Sequence, residues 1–345
     1  MGGLLIMEIN KVTIHDIARA LNIDSSTVSR ALNNSSRVTE KTKIKILEKA
    51  EELGYQRNAL ASNLRKRVTN TIGVVVPRIS RHFFASVIQG VEETAYLAGY
   101  NVLICQSLEQ LERETKITET LVANRVDGVL ISISMETTNY NHMFRLKNSG
   151  IPLVFFDRHC NIPETNNVLI DDFKGGFDAT QHLILKGCKH IVHFSGPQTL
   201  EIYKNRYEGY KAALKASNLP YKEEYVVSSR LMELDGTNNA KKLLKQKLVF
   251  DGIFSANDVA AIGAMKYLKE NGVNIPKDVA MVGFSNEPTS TVINPTLTTI
   301  DQPGLEMGKV ATKLLLKHIK NQKKQISPQT IIMDSKLIER QSSKK

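Results

Sequence analysis

Three cysteines in 345 residues, Cys105, Cys160 and Cys188, are too few and too scattered for a disulfide framework, and no C-x-x-C suggests a zinc site. Their scarcity fits a reducing cytoplasm, which is the expected location. The chain holds no uninterrupted apolar run of about 18 residues, so no membrane span is expected. The opening Met1-Gly2-Gly3-Leu4-Leu5-Ile6 lacks both a basic flank and a long apolar stretch, so no export signal is expected either. Met7, placed before the polar Glu8-Ile9-Asn10-Lys11, offers an alternative start, and residues 1–6 are expected to carry no function. Catalytic patterns are also missing. The eight histidines form no H-E-x-x-H, and neither G-x-S-x-G nor G-x-x-x-x-G-K-[ST] occurs. Gly175-Gly176 opens a helical stretch without G-x-G-x-x-G, which leaves no dinucleotide site. The reading is therefore no catalytic residues, no metal and no cofactor.

What the chain has in excess is positive charge, +11 overall with a pI near 9.4. Residues 1–70 carry twelve Lys/Arg against seven Asp/Glu, which places a polyanion among the candidate partners of the N-terminal fifth. There, residues 12–37 read as two short helices across a tight turn. Thr13 is placed to cap the first, Asp16 supplies first-turn negative charge, and Ile14, Ile17, Ala18 and Leu21 recur at helical spacing. Asn22-Ile23-Asp24 suits the turn because Asn tolerates a left-handed backbone, and Asp24 or Ser25 caps the second helix. On that helix Val28, Ala31 and Leu32 face inward and leave Ser25, Ser26, Ser29 and Arg30 outward, a set suited to phosphates and base edges. A third helix opens at Val38-Thr39-Glu40, with Ile44, Leu47, Ala50 and Leu53 as its expected apolar face and Gly54 as its stop.

The string V-T-I-H-D-I-A followed by T-V-S-R-A-L-N resembles the DNA-reading headpiece of the lac-repressor (LacI/GalR) family of bacterial transcription regulators. Two positions depart from it. Asn22 stands where the family often has Gly, and Asp24 where Ser or Thr is common. The resemblance implies DNA contacts from Thr13, Ser25, Ser26, Thr27, Ser29 and Arg30, and from Asn33, Arg37 and Tyr55. It also implies a hinge segment in which N-x-x-A-x-x-L falls on Asn58, Ala61 and Leu64. An apolar wedge beside Arg65-Lys66-Arg67 is what a minor-groove kink requires.

From Thr71 short β-rich runs alternate with helical periods. Nine runs are expected as strands: 72–76, 101–105, 128–133, 153–156, 168–170, 190–194, 226–228, 252–254 and 279–284. They are mostly continuously apolar, as in parallel strands buried on both faces. Nine strands exceed one ordinary sheet, so two α/β lobes follow, with ligand residues just beyond strand ends. The resemblance agrees, implying a core like the two-lobed periplasmic sugar-binding proteins. It implies effector contacts from Phe83 and Phe84, although one of these equally suits the core. It further implies Ser132, Asp157, Arg158, Arg206 (in R-x-x-G-[FYW]), Asn257 and Gln302. Many family members have Asp at the position of Ser285, so that contact is expected to differ here.

The expected organisation is an all-α headpiece at 12–57, a hinge at 58–70, and a two-lobed α/β core with parallel sheets at 71–340. The expected function is a ligand-responsive, sequence-specific transcriptional regulator, most often a repressor, that controls carbohydrate or related catabolic genes. Its partners would be operator DNA, a sugar, sugar derivative or nucleobase effector, and a second copy of itself as a homodimer. Two other classes compete. A sugar-binding protein without a regulatory role would lack residues 12–67, and a sugar-metabolising enzyme would need an acid/base pair in the cleft.

Overall fold

The computed structural model describes residues 12–55, 68–321 and 327–345. The chain divides at Val68/Thr69 into two compact units.

The first unit holds three helices, α1 (Ile14–Leu21), α2 (Ser25–Leu32) and α3 (Glu40–Glu52). Thr13 donates both its amide (2.9 Å) and its hydroxyl (2.7 Å) to the Asp16 carboxylate, and these bonds hold that carboxyl below its usual range. Asn22 takes the left-handed turn at φ 53°, and Asp24 caps α2 by accepting the Ser26 amide at 2.6 Å. Ile17, Ala18, Val28, Ala31, Val38, Ile46 and Ala50 make the small core. The expected face of α3 is corrected in part, since Ala50 is buried and Leu53 packs on the core as expected. Ile44 and Leu47 are 54% and 52% exposed, whereas Lys43, Ile46 and Ala50 turn inward. The chain offers two overlapping apolar series there. The series through Ile46 wins because Lys43 lays its stem along the core while its ammonium reaches Asn34 Oδ1 (2.9 Å) and Glu40 Oε1 (2.6 Å).

The second unit contains two six-stranded sheets. In lobe one, β1 (Thr71–Val76), β2 (Asn101–Gln106), β3 (Gly128–Ile131), β4 (Leu153–Phe156) and β5 (Asn166–Ile170) alternate with α4 (His82–Leu97), α5 (Leu111–Ala123) and α6 (Asn141–Asn148). Lobe two repeats the plan. Its strands are β6 (Ile191–Ser195), β7 (Val226–Ser228), β8 (Gly252–Ser255), β9 (Ala280–Phe284) and β10 (Thr298–Asp301). Its helices are α7 (Asp172–Leu185), α8 (Glu201–Ala216), α9 (Glu233–Lys245), α10 (Asp258–Glu270) and the short α11 (Thr289–Val292). The chain then returns through α12 (Gly304–Lys320), which packs on α4 and on β3, β4 and β5. It next adds β11 (Thr330–Met333) beside β5 and β12 (Lys336–Ile338) antiparallel to β10. The strand orders are β2-β1-β3-β4-β5-β11 and β7-β6-β8-β9-β10-β12. The lobes are thus joined by three crossings, after Ile170, after Asp301 and after Met333.

All nine expected strands are present with small shifts of boundary, and β10, β11 and β12 are additional. One strand departs in character, since β2 is an edge strand with Leu103 and Ile104 exposed, not a strand covered on both faces. Buried Glu114 on α5 fixes the loop after β3. It accepts the Ser134 amide (2.5 Å) and hydroxyl (2.7 Å), the Thr137 hydroxyl (2.8 Å) and His142 Nε2 (2.8 Å). Gly176 and Gly209 bring α7 and α8 together, because a Cβ on Gly176 would lie 2.2 Å from the Arg206 carbonyl oxygen and one on Gly209 2.1 Å from that of Phe173. That close approach sets Arg206 against the base of lobe two.

Candidate functional site: an interlobe cleft and a polar helix face

A cleft of about 240 Å³ lies between the lobes, and its lining residues follow the carboxyl ends of strands from both sheets. Lobe one supplies Arg78, Arg81, Phe83 and Phe84 after β1, Glu109 after β2, Met135 and Glu136 after β3, and Asp157 and Arg158 after β4. Lobe two supplies Tyr203 and Arg206 after β6, Arg230 and Met232 after β7, Asn257 and Asp258 after β8, Ser285 and Glu287 after β9, and Gln302 after β10.

Eight of the nine expected effector residues therefore meet in one cavity, and Ser132 does not line it. Ser132 is fully buried beneath the site and donates to Asp157 Oδ2 at 3.3 Å, so it orients a lining residue. Phe83 and Phe84 are both buried at the start of α4, edge to face at 5.2 Å, so each serves cavity and core together. Arg206 is held on three sides. Its Nε donates to Asp172 Oδ1 and its Nη1 to the Ala256 carbonyl, each at 2.7 Å, and its guanidinium lies 3.6 Å from the Phe284 ring centre. Burial pushes the Asp172 carboxyl up to about 6 against the pull of Arg206.

Arg158 donates to Glu109 Oε2 at 2.7 Å and leaves its Nε without an acceptor, Asp157 Oδ2 being 3.7 Å away. Burial opposes charge on Glu109, yet the Arg158 guanidinium and the Met135 amide together hold that carboxyl below its usual range. Burial pushes the Asp157 carboxyl up. Asn257, expected as an effector contact, and its neighbour Asp258 have different roles. Asn257 caps α10, accepting the Ala260 amide and donating to the Leu231 carbonyl, each at 2.9 Å, so both ends of its amide are engaged. Asp258 is the buried one, bonded to the Thr299 hydroxyl (2.7 Å) and the Glu287 amide (2.8 Å), and burial pushes its carboxyl up to about 7. Ser285 donates to Gln302 Oε1 at 2.7 Å, which leaves the buried Gln302 Nε2 unpartnered.

Several turns around the cleft hold non-glycine residues in the left-handed region, among them Leu108 (φ 53°), Glu109 (66°), Asp157 (60°), Leu231 (57°) and Ser285 (108°). Such backbone costs on the order of 1 kcal/mol per residue and clusters where side chains must be aimed at a ligand. The sequence carried no signal for it. Nor did the sequence single out Arg78, Arg81, Glu109, Tyr203, Arg230, Met232 or Glu287, whose loops read as ordinary solvated connections.

In the first unit Ser26, Ser29, Arg30 and Asn33 share one face of α2, with Ser26 and Arg30 exposed and Ser29 half-buried. Ser25 and Thr27 are half-buried, and Arg37 is exposed just beyond the helix. Asn33 bonds back to the Ser29 carbonyl at 2.7 Å. Thr13 is spent in its capping box, and Tyr55 packs on the three-helix core. Asn58, Ala61 and Leu64 lie outside the described residues. No helix among the described residues is long and apolar enough to cross a membrane.

Residues 13–58 match a protein family described as bacterial regulatory proteins, lacI family, and residues 69–341 match periplasmic binding proteins and sugar binding domain of LacI family. Catabolite control protein A of Priestia megaterium is 33% identical over 337 residues, covering 96% of this chain and 99% of the relative. The ribose operon repressor of Halalkalibacterium halodurans is 33% identical over 333 residues, covering 96% and 97%. Among solved structures, the transcriptional regulator CelR in complex with cellobiose superposes with a TM-score of 0.74 at 27% identity, covering 96% of this chain and all of that one.

Proposed function

The chain belongs to the LacI family of bacterial regulatory proteins, DNA-binding transcriptional regulators and not enzymes, and from that premise we propose how it divides the work. Operator DNA is read by the α2 face, with Ser26, Ser29, Arg30 and Asn33 toward base edges and Arg37 toward phosphate. Leu64 supplies the minor-groove wedge, with Asn58 and Ala61 in the same segment. The interlobe cleft binds a sugar or sugar derivative as effector, and the protein represses carbohydrate or related catabolic genes as a cytoplasmic homodimer. The observation that carries the effector reading is the convergence of Phe83, Phe84, Asp157, Arg158, Arg206, Asn257, Ser285 and Gln302 on one cavity from two separate sheets.

Because the walls belong to different lobes joined by three crossings, a ligand touching both favours one interlobe geometry over another. Arg206 and Asn257 stand on lobe two and Asp157 and Arg158 on lobe one, so closure is what a bridging polyol would stabilise. The names of two relatives support a carbohydrate, one a ribose operon repressor and the other a cellobiose complex. A homodimer is supported by Leu103 and Ile104 on edge strand β2 and by Tyr96 and Leu97 at the end of α4. Tyr96 and Leu97 are 74% and 86% exposed. The test is a thermal-shift screen of sugars and sugar derivatives, followed by operator binding with and without each hit. A compound that raises the melting temperature and changes operator affinity supports the reading. A compound that binds in the cleft without any change in operator affinity refutes its regulatory part.

A further inference from the structure

Five guanidiniums line the cleft, and three of the five are neutralised at short range. Arg158 pairs with Glu109 at 2.7 Å, Arg230 with Glu136 at 3.1 Å and Arg206 with Asp172 at 2.7 Å. Arg78 and Arg81, on the turn between β1 and α4, make no salt bridge among the described residues. Arg81 Nη2 meets only the Met232 sulfur, at 3.2 Å. Both are half-buried. Burial pushes the Arg81 guanidinium below its usual range against the opposing charge of Glu287, and the neighbouring Arg78 adds to that push.

The carboxylates opposite do not balance this pair. Glu109 and Glu136 are engaged by arginines, while Asp157, 3.7 Å from Arg158 Nε, and Asp258, bonded to Thr299 and the Glu287 amide, are buried acids whose charged form burial disfavours. Only Glu287 among the lining acids has a carboxylate with no hydrogen bond or short ion pair among the described residues, and its charge acts on Arg81, so two guanidiniums share one carboxylate. Two further features demand acceptors. The buried side-chain atoms of the cleft left without a partner, Arg158 Nε and Gln302 Nε2, are both N–H groups. Helix α4, 16 residues long, begins at His82 beside Arg81 with no side-chain cap, which leaves first-turn amides for an anion.

Two partly desolvated cations that share one carboxylate and make no short ion pair are costly unless a ligand brings further negative charge. We infer that the effector is an anionic sugar, a sugar phosphate or sugar acid, whose charged group is held by Arg78 and Arg81 while its hydroxyls meet the deeper residues. This deepens the reading of the cleft as the effector site and rests on it.

The experiment is calorimetry on the full chain with glucose 6-phosphate, fructose 6-phosphate, ribose 5-phosphate, gluconate and galacturonate, each beside its neutral parent sugar. At least one anion should bind about tenfold or more tighter than its parent, as a charge-assisted pair of bonds predicts. Phosphate-bearing and carboxylate-bearing members separate the two sources of charge. Arg78→Gln/Arg81→Gln should bring the ratio of anion to parent affinity close to one. Glu287→Gln should strengthen anion binding by several-fold, an outcome that a general loss of structure does not produce. Neutral parents binding as tightly as their anions, or no panel member binding at all, overturns the anionic inference. In the first case the cleft reading stands. Anion binding that survives both Arg78→Gln/Arg81→Gln and Asp172→Asn/Arg206→Gln lies outside the cleft and overturns both.

Discussion

Arg206→Ala is the perturbation with the most to say, because the same side chain serves the ligand site and the lobe that carries it. From the sequence, this change is expected to abolish the effector response and leave ligand-free operator binding largely intact. The structure adds a stability cost. The substitution removes one bond to the Asp172 carboxylate, one to the Ala256 carbonyl and the contact with the Phe284 face, with Arg206 only 3% exposed. Breaking one side of a buried ion pair costs about 3–5 kcal/mol, and the three contacts are not added because they share one side chain. Most of that cost is the stranded Asp172, whose carboxyl already titrates near 6 and rises further once Arg206 is gone. The sign follows directly. An acid whose folded-state pKa lies above its unfolded value favours folding when protonated, and that contribution is lost as pH rises through the folded pKa. The deficit of the variant should accordingly be largest near pH 8 and shrink toward pH 5. Asp172→Asn placed on Arg206→Ala should recover most of the loss at pH 8. Urea melts of the unsubstituted chain, Arg206→Ala, Asp172→Asn and the double variant at both pH values check this. A deficit that is equal at the two pH values and unaffected by Asp172→Asn would refute the ion-pair account and reassign the cost to packing against Phe284.

A fragment starting at Thr69 should not bind duplex DNA, while the affinity of the full chain should fall roughly 10³-fold or more between about 50 and 200 mM salt, as gel shifts would record. Leu64→Ser should weaken operator binding far more than binding to random duplex and leave the melting temperature almost unchanged; equal losses on both DNAs rule out the wedge. Leu103→Lys/Ile104→Lys should shift the chain toward monomer in sedimentation with the fold intact by circular dichroism, since both side chains already face solvent on β2. Glu114→Ala, which deprives Ser134, Thr137 and His142 of their shared acceptor, should cost about 3–5 kcal/mol in a urea melt, and a cost below about 1 kcal/mol would show that water replaces the carboxylate.

The parts of this molecule legible in its sequence are those encoded by short-range pattern. The capping pair Thr13/Asp16, the Asn22 turn and the inward Val28 and Ala31 are all interactions within four residues or one helical face. Continuous apolar runs located all the inner strands but β10, because such strands are covered on both faces. Inner β10 is polar in sequence (Thr298-Thr299-Ile300-Asp301), and the edge strands β11 and β12 are short and partly exposed, so these three did not stand out. The choice between Ile44/Leu47 and Lys43/Ile46 on α3 was undecidable locally, since both pairs reach Ala50 at helical spacing and only the packing against α1 and α2 selects one.

The cleft shows where pattern stops. Asp172 stood at a strand end, where a charge is ordinarily solvated, and its burial depends on an arginine 34 residues later in the chain. Asn257 and Asp258 are neighbours in sequence. The residue that caps α10 spends its side chain on the Ala260 amide and the Leu231 carbonyl, while the next one turns inward to Thr299. Either residue type suits either task chemically, so their assignment follows from where the helix axis points and not from composition. The same reasoning identifies Arg78 and Arg81 as informative. In the sequence they are two bases in a loop with a solvated surface as their default. In the fold they are half-buried in the lining of a cavity, and of the carboxylates around them only Glu287 is left to share. A charge becomes evidence of a ligand only when the accounting of its neighbours is complete, and that accounting runs between lobes that the sequence cannot place side by side.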